Sequence, residues 1–180
     1  MSELFIVNYC HPDCEPLKSV TRLPEKDAYA AAQELSDRHK GTAFVRFADF
    51  CNYYPRRIAT EQWLHKNFLA LGGKPETEHP LYFVLQGNDF LKNWFDNGTV
   101  SALPLAAIKS EHISFMLGDS AAQADQLKKQ NLFLTDELQA HIEQSGGIDF
   151  FLENVREPYS YIEVQLWSDE YLPHIITNQI

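Results

Sequence analysis

The run Leu81-Tyr82-Phe83-Val84-Leu85 does most to narrow the fold. It is continuously apolar or aromatic and lies between His79-Pro80 and Gln86-Gly87. Strands buried on both faces read this way, so the run belongs at the centre of a sheet. Further strand candidates cover residues 4–9, 43–47, 99–103, 112–117 and 161–167. The last alternates, with Ile162, Val164 and Leu166 on one face and Tyr161, Glu163 and Gln165 on the other.

The clearest helix covers 24–40, where Ala28, Ala31, Ala32 and Leu35 form an i, i+3, i+4, i+7 stripe and Gly41 stops it. A second helix ends at Gly72-Gly73, and both Pro55 and Thr60 suit its start. Asn88 caps a short helix that turns Phe90, Leu91, Trp94 and Phe95 inward. Thr135 caps another, and Ile148, Phe151, Leu152 and Val155 mark a further one. Residues 121–130 are polar and read as an exposed helix or loop. About six strands and four or five helices result, without strict alternation. The expected fold is α+β: a single domain over 1–180 with a mixed, mostly antiparallel sheet and the helices packed on it.

Composition limits the partners. The net charge of −10 makes nucleic acid an unexpected ligand, since phosphate binding draws on lysine and arginine. The same charge suits a basic protein partner. The sequence contains neither an export signal nor an apolar stretch long enough to span a membrane. Its three cysteines are then expected to be thiols, and the chain is placed in the cytoplasm.

Four groups of residues carry chemistry. Cys10-His11-Pro12-Asp13-Cys14 offers thiolate and imidazole ligands for zinc, with Cys51 or His79 as a fourth donor; the alternative is reduced thiols in a proline-rich turn. The segment from Arg46 to Arg57 holds Arg46, Arg56 and Arg57 with Tyr53 between them, a combination suited to an anionic or nucleotide-like ligand. Arg46 sits in an apolar strand pattern and needs a carboxylate or a ligand beside it. Ser114 lies on a strand ending in Gly118-Asp119-Ser120, and Asp119 either serves a ligand site or caps a following helix. Glu163 either faces solvent or lines a cavity. Gln86, at the end of the central strand, is a candidate ligand contact or a turn residue.

Arg46 on an early strand, Ser114 on a middle one and Glu163 on a late one resemble, in that order, the arginine, serine and glutamate of ADP-ribosyltransferases. The resemblance implies that Arg46 holds NAD, Ser114 supports it, and Glu163 stabilises positive charge developing on the ribose. It rests on single residues over about 120 positions. The family's Ser-Thr-Ser run is absent, since Phe115 and Met116 follow Ser114, and Tyr161 stands two places before Glu163 where an acidic or amide residue is usual.

Three functions follow. The first is a site for a small anionic or nucleotide-like ligand, held by the arginines and Tyr53, with Glu163, Asp119 and Ser114 as the candidates for catalysis if it is an enzyme. The others are an acidic inhibitor or immunity-type binding module and a zinc-stabilised module.

Overall fold

A computed structural model describes residues 3–40, 43–123 and 132–178. One sheet of seven strands organises them: β1 (Phe5–Cys10), β2 (Leu81–Leu85), β3 (Thr99–Pro104), β4 (Ile113–Leu117), β5 (Leu132–Phe133), β6 (Ile162–Leu166) and β7 (Ile176–Asn178). Their spatial order is β5-β4-β6-β2-β1-β3-β7, and every neighbouring pair is antiparallel. The apolar run forms β2, at the middle of the sheet, as its composition requires. Five α-helices accompany the sheet among the described residues: α1 (Glu25–Arg38), α2 (Phe50–Ala70), α3 (Asp89–Trp94), α4 (Thr135–Gln144) and α5 (Ile148–Tyr159). The fold is α+β with an antiparallel sheet. None of the described helices is long and apolar enough to cross a membrane.

Alternation on the strands sorts the two layers. Ile6, Phe83, Leu103, Phe115 and Val164 join Leu138 and Ile142 of α4 and Phe151 and Val155 of α5 in the main core. On the opposite face, Leu64 and Phe68 of α2 pack on Met116 and Trp167, with the Phe68 and Trp167 rings stacked at 5.4 Å. Helix α1 covers the first part of α2 through Ala28, Ala32 and Phe50.

One expected strand and two expected helix starts differ. Residues 43–47 do not join the sheet; Val45–Asp49 form a 3-10 turn that runs directly into α2. The apolar run there is satisfied by aromatic packing, with Phe44, Phe47, Phe50 and Tyr53 in successive ring contacts of 5.6, 5.3 and 6.1 Å. That packing also moves the start of α2 to Phe50, so Pro55 lies inside the helix, at the cost of one backbone hydrogen bond. Thr135 is the first residue of α4 and Leu134 takes the cap position. Asn88 caps α3 as expected, its Oδ1 accepting from the Leu91 amide at 3.0 Å. The additional strands β5 and β7 are two and three residues long, too short to leave a periodic signal. Of the polar stretch 121–130, residues 124–130 lie outside the described residues.

Candidate functional site

The site is a cleft of about 350 Å³ on the α2 side of the sheet. Chain segments distant in sequence meet there: Asn8 from β1, Arg46 from the 3-10 turn, Tyr53 and Arg57 from α2, Asp119 after β4, Tyr161 just before β6 and Glu163 on it. Phe90 and Trp94 of α3 close one wall, their rings stacked at 5.8 Å.

Arg46 and Asp119 form the rim. Arg46 Nη2 donates to Asp119 Oδ2 at 3.0 Å, and the Arg46 side chain is 45% exposed. Asp119 Oδ1 meanwhile accepts from the amides of Ala121 and Ala122 at 2.8 and 3.0 Å. The residue therefore caps a turn and also lines the cleft. Gly118 makes this possible with φ +77°, a conformation that side chains disfavour. Burial works against the Asp119 carboxylate, but the charges of Arg46 and Arg57 and the Ala122 amide outweigh it and hold its pKa below the ordinary value.

Glu163 lies deeper, 5% exposed. Its Oε2 accepts from the Ser120 amide at 3.2 Å and its Oε1 from Gln165 Nε2 at 2.8 Å. Burial, followed by the negative charge of Asp119, pushes its pKa up to about 7 against the pull of Arg57 and these two hydrogen bonds. Two carboxyls in one cleft are thus driven apart, one ionised and one poised to exchange its proton near neutrality. Tyr161 beside them is kept protonated, chiefly by burial and then by the nearby carboxylates.

Arg57 forms the floor. Its guanidinium carbon lies 3.8 Å from the centre of the Tyr82 ring, and its Nε donates to Glu61 Oε1 at 3.1 Å. Asn8 Nδ2 donates to the Tyr82 carbonyl at 2.9 Å, whereas the buried Asn8 Oδ1 has no hydrogen-bond partner among the described residues. A buried acceptor left open in a cleft costs stability unless a ligand or water answers it.

The remaining expected residues are placed elsewhere. Ser114 is fully buried, donating to Gln165 Oε1 at 2.7 Å and accepting from Trp167 Nε1 at 2.9 Å, so its hydroxyl is spent within the sheet layer. Arg56 is exposed and borders an adjoining depression with Asn52 and Tyr53. Gln86 lines an adjoining cavity of about 660 Å³ with Arg156 and Ser160, which shares Tyr9 and Phe90 with the cleft, and its Oε1 accepts from the Phe5 amide at 2.7 Å. The ADP-ribosyltransferase order is therefore not reproduced as three strand residues around one pocket: Arg46 is on a turn, and Ser114 is not among the cleft's lining residues.

The cysteines do not converge. Cys10 Sγ donates to the carbonyls of His11 and Cys14 at 3.5 and 3.4 Å, and burial pushes its thiol up to about 11. Cys14 is half-buried, and Cys51 is exposed near the start of α2. Among the described residues no cysteine belongs to a cluster with metal-ligand spacing.

Tyr161 lines the cleft beside Glu163, the neighbour that alternation along the last strand gives it; sequence reasoning missed Asn8 and the Glu61 contacts of Arg57. An i, i+4 spacing links Arg57 to Glu61 and was a usable signal; Asn8 inside a strand pattern left none. No protein-family model matches the chain, and neither does any curated protein or solved structure.

Proposed function

We propose that the cleft binds a small planar ligand carrying an anionic group, of the size and character of a nucleoside monophosphate. The observation that carries this reading is the convergence of Arg46, Tyr53, Asp119, Tyr161 and Glu163 on one cavity, beside Asn8, whose amide oxygen has no hydrogen-bond partner among the described residues.

The chemistry divides by depth. Arg46 is half-exposed and can turn from Asp119 to a phosphate or carboxylate. Asp119 tolerates that exchange, because its other oxygen stays with two backbone amides. A planar ring finds aromatic faces in Tyr53, Tyr161 and Trp94. An N–H on that ring answers Asn8. Glu163, gaining and losing its proton near neutral pH, is positioned to take or give a proton should the bound molecule react. A volume of about 350 Å³ falls at the small end of ordinary ligand sites, which favours a mononucleotide over a dinucleotide.

The test is a thermal-shift panel of nucleoside monophosphates, inorganic phosphate, sugar phosphates and NAD. A ligand at a hundred times its Kd stabilises by about 2.7 kcal/mol, roughly 5–10 °C at this chain length. A shift with a nucleoside monophosphate that disappears in a folded Arg46→Ala variant supports the reading. Silence across the panel overturns it and turns attention to a basic protein partner.

A further inference from the structure

A second cluster lies at the end of β1, away from the carboxylates of the cleft. His11 follows Cys10 directly and is 4% exposed. The turn after it is closed by the Cys14 amide donating to the His11 carbonyl at 2.9 Å, which brings Asp13 back over the strand end. His39 is the C-cap residue of α1. The two imidazole rings are 4.3 Å apart, and Phe44 packs on both, at 5.2 and 5.4 Å. His39 Nε2 and Asp13 Oδ2 are 3.1 Å apart. One ligand atom from each of His11, Asp13 and His39 can be chosen so that all lie within 4.8 Å of one another.

We propose that His11, Asp13 and His39 form a binding site for a first-row divalent cation, with zinc the fitting probe. Two imidazoles and one carboxylate are the donor set for zinc, cobalt or nickel rather than for calcium or magnesium, which take oxygen ligands. With bonds of about 2.0–2.1 Å, tetrahedral ligand atoms lie roughly 3.3 Å apart. Asp13 and His39 already meet that spacing, so closure falls on the His11 side. Asp13 sits on an exposed turn and His39 at the C-terminal end of α1, so the two can move together toward His11. The fourth position goes to water or to Asp96, whose Oδ2 is 3.9 Å from His11 Nε2.

The neighbourhood gives the site a use. His11 and Asp13 line a cavity of about 480 Å³ that shares Asn8, Phe47, Tyr53 and Arg57 with the ligand cleft. A cation held there would border that shared space. The ion site itself does not depend on what the cleft binds.

Cobalt titration of the tag-free, chelator-treated full chain tests the site directly. The expected result is visible d–d absorption without a thiolate charge-transfer band, displaced by zinc, together with a zinc-induced rise of several degrees in Tm. His39→Gln and Asp13→Asn, both at partly exposed side chains, each weaken cobalt binding at least tenfold while retaining the far-ultraviolet spectrum. Cys14→Ser leaves the titration unchanged. A silent wild-type chain overturns the proposal, as does binding that persists in both variants. A thiolate band lost in Cys14→Ser would overturn it in favour of the cysteines.

Discussion

Glu61 and Glu163 are both buried carboxyls on the α2 side of the sheet, and they are treated in opposite ways. Glu61 is fully enclosed and met from all sides: Thr21 Oγ1 at 3.2 Å, Arg57 Nε at 3.1 Å, the Tyr82 hydroxyl at 3.1 Å and His79 Nδ1 at 2.6 Å. Glu163 has one amide and one side-chain donor, shares its surroundings with a second carboxylate, and borders a cleft. The first arrangement satisfies both carboxyl oxygens where α2 meets the sheet. The second leaves a proton undecided. Burial alone therefore says little about a carboxyl's role; the number and sign of its partners decide it.

The largest expected effect separates the two. Glu61→Gln leaves Arg57 and His79 buried without their counter-charge and is expected to cost about 3–5 kcal/mol, read as a lower urea midpoint with unchanged slope. Glu163→Gln is expected to act the other way above neutral pH, raising stability by roughly 1–3 kcal/mol, because it removes the burden of ionising a buried group. If both variants lose stability at pH 8, the contrast fails.

The pH profile sharpens it. Glu163 has a folded pKa of about 7 against an ordinary 4.5, so the folded state holds the extra proton between those values and its stability falls as pH rises through that window. Glu163→Gln should remove that fall. His79 is raised chiefly by its hydrogen bond to Glu61, so its contribution is present below 6.5 and is lost as pH climbs through its folded pKa. The loss that remains just above neutral pH in Glu163→Gln, below the range where the buried thiols and tyrosines ionise, therefore belongs to the Glu61 network and should shrink in a His79→Asn background.

Smaller effects test the rim. Gly118→Ala forces a side chain into φ +77° and toward Gln123 Nε2 at 2.6 Å, and is expected to cost about 1 kcal/mol by thermal melting. Arg46→Ala removes a half-exposed ion pair, and its stability cost should stay below about 1 kcal/mol in urea denaturation. A larger loss would mean that Arg46 serves the fold and not the cleft.

Some of this was legible in the sequence. The continuous run of β2 announced its central place, and the cap at Asn88 followed from local hydrogen bonding alone. Alternation on β6 placed Glu163 opposite the core-facing residues, and its two alternatives, solvent or cavity, were the right pair to weigh. What failed was context. Residues 43–47 have a strand's composition, but aromatic packing along α1 and α2 satisfies them without a ladder. Ser114 was polar at a suggestive position, yet its hydroxyl is consumed by internal hydrogen bonds that only the register reveals, while Gln86 lends its Oε1 to the Phe5 amide and lines another cavity. The ligand geometry of His11 was sought among neighbouring cysteines, while its structural neighbours are Asp13 and, from the far end of α1, His39.

The disposition of the three tryptophans has an optical consequence. Trp167 is fully enclosed and stacked on Phe68, so its emission should be blue-shifted and should follow unfolding. Trp94 stands in the wall of the cleft and should answer to occupancy while the chain stays folded. Trp63 packs beside the Trp167 cluster and belongs with the first signal. Quenching that appears in Trp94→Phe-sensitive fluorescence at constant far-ultraviolet dichroism would report a bound ring without any label.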